Sequence, residues 1–182
     1  MLATYPGQRV HEEDLFERAR NGDAEALVQL LEPLAEPAHR LATGLLHDPS
    51  LAEDAVQEAA VKAWRHARRL RPRSSVRPWF LAIVANQCRD LRRRRWFSVI
   101  RQAEPGRQVA APDSDLAATA DLRRALARLP HQQRLAVVLT FYLDLPLEEV
   151  AAVVGISVGA ARSRLYRGLA RLRPLLEIEP IR

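Results

Sequence analysis

The sequence predicts an all-α protein of two small helical domains, and three observations carry that prediction. Glycine is sparse, 7 in 182 residues, while alanine and leucine dominate. Apolar residues recur at helical spacing along most of the chain, and few runs alternate apolar with polar as a half-buried strand requires. Between Ser98 and Ala120 the composition turns to Pro105, Gly106, Pro112, Asp113, Ser114 and Asp115, which reads as a flexible, slightly acidic linker between two basic halves. The expected domains are residues 11–97 and 121–176, with 98–120 as the tether.

Taken in order, the residues before about His11 read as a loose tail, and EEDLFERAR as a short amphipathic piece. Asn21-Gly22-Asp23 is a turn whose Asp23 can cap a helix through Leu46. Leu27, Leu30, Leu31, Leu34, Ala38, Leu41 and Leu45 supply its buried stripe, and Pro33 and Pro37 should bend or split it. His47-Asp48-Pro49 is a break, after which Ser50 and Glu53 form a capping box for the next helix. That helix buries Ala52, Val56, Ala59, Ala60, Ala63, Ala67 and Leu70, with Trp64 at the edge. Its other side carries Asp54, Gln57, Glu58, Val61 and Arg65, a polar strip with one exposed valine that suits docking onto another protein. Arg68 to Arg77 reads as a loop. A helix opening at Val76 or Pro78 and running to about Trp96 then buries Phe80, Ile83, Val84, Gln87 and Leu91, and exposes Ala82, Asn86, Arg89 and Arg93. Together with the Arg92 to Arg95 run and the aromatics Trp79 and Trp96, that stripe offers cations and stacking surfaces to a splayed nucleic-acid strand.

The second domain begins with DLRRALARL, stops at Pro130 and continues through HQQRLAVVLTFYL. Pro146 then starts two helices joined by a tight turn. Val150, Ala151 and Val154 give the first an apolar face, Gly155 sits where a left-handed residue would end it, and Ser157 can cap the second. In that second helix Ala161, Leu165, Gly168 and Leu172 share one face, so Gly159, Ala160, Ser163 and Arg167 point the opposite way, flanked by Arg162 and Arg164. Small residues permit close approach to base edges, Ser163 and Arg167 can hydrogen-bond to them, and the flanking arginines can reach phosphates. The pattern is that of a DNA-reading helix-turn-helix. The alternative is a plain helical hairpin with a solvated arginine face, a common arrangement that shares the spacing.

Composition narrows the function classes. The formal net charge of +6 comes almost wholly from arginine, Lys62 being the only lysine, and it favours a polyanionic partner without choosing one. The single cysteine, Cys88, reads as a packing residue in a reducing cytoplasm. No run approaches membrane-spanning length, so no membrane insertion is expected. His39 and His47 lack ligand-spaced companions, and Glu53, Asp54 and Glu58 do not share one face, so no metal, cofactor or catalytic set is expected.

The order of segments resembles the extracytoplasmic function (ECF) group of the bacterial sigma-70 family, over roughly Asp14 to Leu176. LAEDAVQEAAVKAW is similar to the family pattern DAEDLVQEVFLRAW, with Asp54, Gln57, Glu58 and Trp64 in matching places. LRPRSSVRPWFLAIVANQCRDLRRRR is similar to FRGESSFRTWLYRIATNLCLDHLRRR, matching at Arg71, Ser74, Ser75, Arg77, Trp79, Ile83, Asn86 and Asp90. ALARLPHQQRLAVVLTFYLDLPLEEVAAVVGISVGAARSRLYRGLARLR resembles region 4. Ala60, Pro72 and Pro146 depart from the usual Phe, Gly and Ser or Thr.

The resemblance implies a non-catalytic initiation subunit that joins core RNA polymerase at its clamp helices and flap, binds promoter DNA and answers to an anti-sigma factor. Asp54, Gln57, Glu58 and Val61 would dock on polymerase. Arg71, Ser74, Ser75, Arg77, Trp79, Asn86, Arg89 and Arg93 would serve the minus-ten element. Ser157, Gly159, Ala160, Arg162, Ser163, Arg164, Tyr166 and Arg167 would serve the minus-thirty-five element. The short ends imply no extra regulatory domains. Two other classes fit less well: a stand-alone helix-turn-helix regulator should show a dimer seam, and a nucleic-acid-processing enzyme a clustered acid or metal set.

Overall fold

The computed structural model of the protein describes residues 6–69, 75–101 and 117–176. Among the described residues the regular structure is entirely helical, nine α-helices with short 3-10 and π turns. Helix α1 (Pro6–Arg20) starts earlier than the expected His11, with Pro6 at the first helical position, where a missing N–H costs nothing. Leu15, Phe16 and Ala19 are its buried face. Gly22 takes a φ of 97° in the turn that follows. Asp23 then caps α2 (Ala24–Leu31), accepting from Ala26 N at 3.1 Å, while Arg18 Nε donates to the same carboxylate at 2.9 Å. Those two hydrogen bonds, the backbone one foremost, hold the Asp23 carboxyl below its usual range.

The proline prediction resolves as a split. A 3-10 turn at Glu32–Leu34 containing Pro33 separates α2 from α3 (Ala35–Leu46), whereas Pro37 is accommodated in the first turn of α3. The expected leucine and alanine stripe is buried apart from Leu31, which is partly so. His47 ends α3 with a left-handed φ of 57°. Helix α4 (Pro49–His66) is capped differently from the expectation: Asp48, not Ser50, accepts from Leu51 N at 3.2 Å, and Pro49 fills the first helical position. An aspartate directly before a proline meets both requirements of a helix start two residues sooner than the Ser50 and Glu53 box. The buried side of α4 includes Ala55 as well as Ala52, Ala59, Ala63 and Ala67; Leu70 lies outside the described residues.

Helix α5 (Val76–Arg101) continues past the expected Trp96. Phe80, Leu81, Val84, Gln87 and Cys88 are buried against α3 and α4, and burial pushes the Cys88 thiol up to about 12, so it packs and does not react.

The second domain comprises α6 (Ala117–Arg128), α7 (His131–Val137), α8 (Leu147–Val154) and α9 (Val158–Leu172). The expected continuous run after Pro130 ends in a π-helical turn, Val138–Tyr142, where Leu143 N donates to Val138 O at 3.1 Å. Arg134, only 2% exposed, donates to the Leu129 carbonyl at 3.3 Å and so pins the corner between α6 and α7. Gly168 allows α9 to lie close on α7, since a Cβ there would stand 2.9 Å from Val137 Cγ2. The two domains, expected as separate units on a tether, also touch: α5 packs on α8, and α3 on the π-helical turn.

Candidate nucleic-acid interfaces

The best-defined surface is α9. Gly155, with φ 72°, ends α8, and its N–H and that of Ile156 both reach the Ala151 carbonyl. Ser157 Oγ then accepts from Ala160 N at 3.3 Å and starts α9. Ala161, Leu165, Gly168 and Leu172 are buried, as their spacing predicts. Turned outward and exposed are Gly159, Arg162, Ser163, Tyr166 and Arg167, with Ala160 half-buried. Ser163 Oγ donates to Gly159 O at 3.0 Å, and Arg167 Nε donates to Ser163 O at 3.1 Å. The exposed Arg167 side chain is thereby tied through its Nε to its own helix. Arg164 behaves otherwise: it is half-buried, and its Nη1 donates to Gln132 Oε1 on α7 at 2.6 Å. It braces α9 on α7 at the flank of the outward face.

A second surface lies along α5. Arg71 and Ser74 lie outside the described residues, while Ser75 is exposed just before the helix. Asn86, Arg89 and Arg93 form one exposed stripe, with Trp79 half-buried beside it. Lys62, His66, Trp79, Ile83, Asn86 and Arg89 together line a groove of about 450 Å³ between α4 and α5. Lys62 and His66 were not in the expected set. The Lys62 ammonium donates to the buried Gln87 side chain, and the His66 ring donates through Nδ1 to the Lys62 carbonyl at 2.8 Å. That Lys62 is the chain's sole lysine was the one available signal. The groove combines an aromatic ring, an amide and two cations, which is what an unstacked base on a phosphate strand requires. Arg77 does not join it, for it forms an ion pair with Glu149 of α8 at 3.4 Å.

The third surface is the outer side of α4, where Asp54, Gln57, Glu58 and Val61 are all exposed. Gln57 Nε2 donates to Glu53 Oε1 at 3.4 Å. Val61 is 44% exposed and Trp64, expected only at the edge, is 43% exposed, giving the acidic strip a large apolar contact. Among the described residues no group of three His, Cys, Asp or Glu could hold a metal ion, and no helix is long and apolar enough to cross a membrane.

A helical bundle with an exposed groove lined by aromatic and cationic side chains, followed by a helix-turn-helix, fits a class of two-part DNA readers, and comparison with known proteins narrows it. The Sigma-70 region 2 model matches residues 30–98, and the Sigma-70 region 4 model matches residues 119–172. The chain is 34% identical over 165 residues to the RNA polymerase sigma factor CarQ of Myxococcus xanthus, covering 88% of this chain and 95% of that one. It is also 34% identical over 155 residues to the ECF RNA polymerase sigma factor SigM of Mycobacterium tuberculosis, covering 85% of this chain and 79% of that one. Among solved structures, CnrH in complex with the cytosolic domain of CnrY superposes with a TM-score of 0.68 at 25% identity, covering 93% of this chain and 99% of that one. The sigma factor RpoE in complex with the anti-sigma factor NepR from Bartonella quintana gives 0.64 at 26% identity, covering 84% and 97%. The chain belongs to the sigma-70 family, in its ECF group.

Proposed function

We propose that the chain is a sigma factor that joins core RNA polymerase through the outer side of α4, sets α9 on the minus-thirty-five element and α5 on the minus-ten element, and helps open the duplex between them, with no catalytic chemistry of its own. The observation that carries this is α9: its buried face matches the helical period, its outward face is small and arginine-flanked, and Ser157 and Gly155 fix its entry. The physical division of labour follows. Arg167 and Ser163 can donate to base edges in the major groove, while Arg162 and Arg164 lie where phosphates pass. At the other end, Trp79 and Asn86 can hold an unstacked base, and Lys62, Arg89 and Arg93 can follow the strand's charge. Unstacking costs a few kcal/mol per base, so a stacking ring beside cations is the means to hold strands apart once polymerase has bent the duplex.

Regulation by an anti-sigma factor is part of the same proposal. The solved relatives CnrH and RpoE are each held in such a complex or with a CnrY domain, and this chain has the same fold. Reconstituting the full chain with core polymerase and mapping the transcript starts tests the proposal. Starts at a common promoter class, absent without the chain, are expected; start sites that are identical with and without it would overturn the assignment.

A further inference from the structure

We propose that the chain holds a binding site for a small amphipathic acid, an acyl chain ending in one carboxylate, in a cavity apart from the three surfaces described above. The cavity has a volume of about 680 Å³, within the ~300 to 1,000 Å³ usual for small-molecule sites. Its walls are the end of α3, one side of α6, the π-helical turn, and the end of α9 with the residues that follow it. Leu126, Phe141, Leu169, Leu172 and Leu176 give it an apolar lining. Leu122 and Phe141, 42% and 64% exposed, stand where it opens to solvent, so a ligand has a way in.

An apolar cavity alone names no occupant; its polar groups do. Arg123 and Arg173 line it, and among the described residues no aspartate or glutamate does. Neither arginine is paired with a carboxylate among the described residues. Burial first, then Arg92 of α5 and Arg123, lower the titration of His47 below its usual value, so at neutral pH the ring adds no charge and the arginines set the sign. The action of Arg123 on His47 also puts cation and ring at the same end of the cavity. Thr43 stands one helical turn before His47 on α3 and lines the cavity with it, and Thr43 Oγ1 and His47 Nε2 are each buried without a hydrogen-bond partner. Buried polar groups are nearly always paired, and cations set in an apolar wall without a counter-charge favour an anion there. A carboxylate answers both needs, since its two oxygens accept from guanidinium forks and from a hydroxyl. Beyond these groups the lining is leucine, valine and aromatic ring, which fits hydrocarbon behind the carboxylate.

Calorimetric titration of the full chain with hexanoate, octanoate and decanoate, and with 1-octanol as the uncharged counterpart, tests the site. Saturable binding of a single ligand is expected, tightening about fourfold for each added CH₂. Octanoate should bind about tenfold more tightly than 1-octanol, because only the acid makes charge-assisted hydrogen bonds. Arg123→Gln with Arg173→Gln should bring octanoate down to the level of 1-octanol and leave 1-octanol unchanged. Both side chains are exposed, so the fold does not depend on them. Arg124→Gln with Arg128→Gln, exposed on α6 outside the cavity, controls for general attraction to a basic chain and should change nothing. Binding is read without promoter DNA, so failure here and failure of the promoter-reading role are distinguishable. Equal loss in the two double variants, or equal affinity for octanoate and 1-octanol, would overturn the assignment. So would the absence of saturable octanoate binding by a chain that still captures core enzyme, an outcome that leaves the cavity to a protein surface.

Discussion

Arg167 and Arg164 stand one helical turn apart on α9, yet their surroundings assign them different work. Arg167 is exposed and anchored through its Nε, whereas Arg164 is half-buried and bonded to Gln132. Replacing Arg167 by Ala should therefore relax base preference at one or two upstream promoter positions, at ~1 to 3 kcal/mol for a lost bidentate contact. Replacing Arg164 should lower binding to all promoters alike and reduce the salt slope by about one counterion. Holoenzyme binding to a randomised minus-thirty-five library at two salt concentrations separates the two. A shifted consensus with Arg164→Ala and none with Arg167→Ala would mean that α9 lies rotated in the groove. Single residues were also where sequence reading was weakest. Ser50 and Glu53 satisfied a capping pattern, but Asp48 before Pro49 satisfied it sooner. Lys62 went unplaced because its role depends on Gln87 across a helix pair, a proximity that no spacing rule expresses.

At the scale of the element, the packing of α9 on α7 makes a sharp prediction. Gly168→Ala would ordinarily favour a helix by up to about 1 kcal/mol, but its Cβ would meet Val137 Cγ2 at 2.9 Å and the Gln133 carbonyl at 3.3 Å. Overpacking of that kind costs roughly 1 to 3 kcal/mol, so the substitution should lower the unfolding temperature; an unchanged or higher value would mean that Val137 turns aside. On α4, Asp54→Ala with Gln57→Ala should weaken association with core enzyme while leaving the helical circular dichroism signal intact, since neither side chain is buried. Unchanged capture by core enzyme would make that strip a solvated one. The helices themselves were legible because burial imposes a period: every residue of the expected α9 stripe is buried. The alanine-rich α4 was less so, because small residues on neighbouring faces blur the stripe, and Ala55 escaped. The π-helical turn after Val137 was invisible for a similar reason, as VVLTFY fits any helical period.

For the whole molecule, the contact between domains carries a pH dependence. His131 at the start of α7 is pushed down to about 4, by burial first and then by Arg89 and Arg92 of the other domain. His47 is lowered in the same direction by burial, with Arg92 and Arg123 adding to it. A histidine depressed in the folded form binds more protons when released. The stability it contributes is full above its ordinary value of 6.5 and is lost as pH falls from there toward about 4. Melting temperature should fall across that window, and less steeply in His131→Gln; identical slopes for both proteins would remove His131 from the account. None of this was legible in the sequence, since Arg77 and Glu149, or His131 and Arg89, lie far apart along the chain and leave no pattern. The order of the two domains and their outward faces was legible, because each is set by local periodicity. What joins them into a promoter reader is a third party, and the decisive measurement includes it. Footprinting a promoter fragment with the chain alone, core enzyme alone and both together should show protection at the minus-thirty-five and minus-ten elements, and unpaired bases at the latter, only in the combined sample. Strong protection of a palindromic site by the chain alone, unchanged when core enzyme is added, would contradict the account.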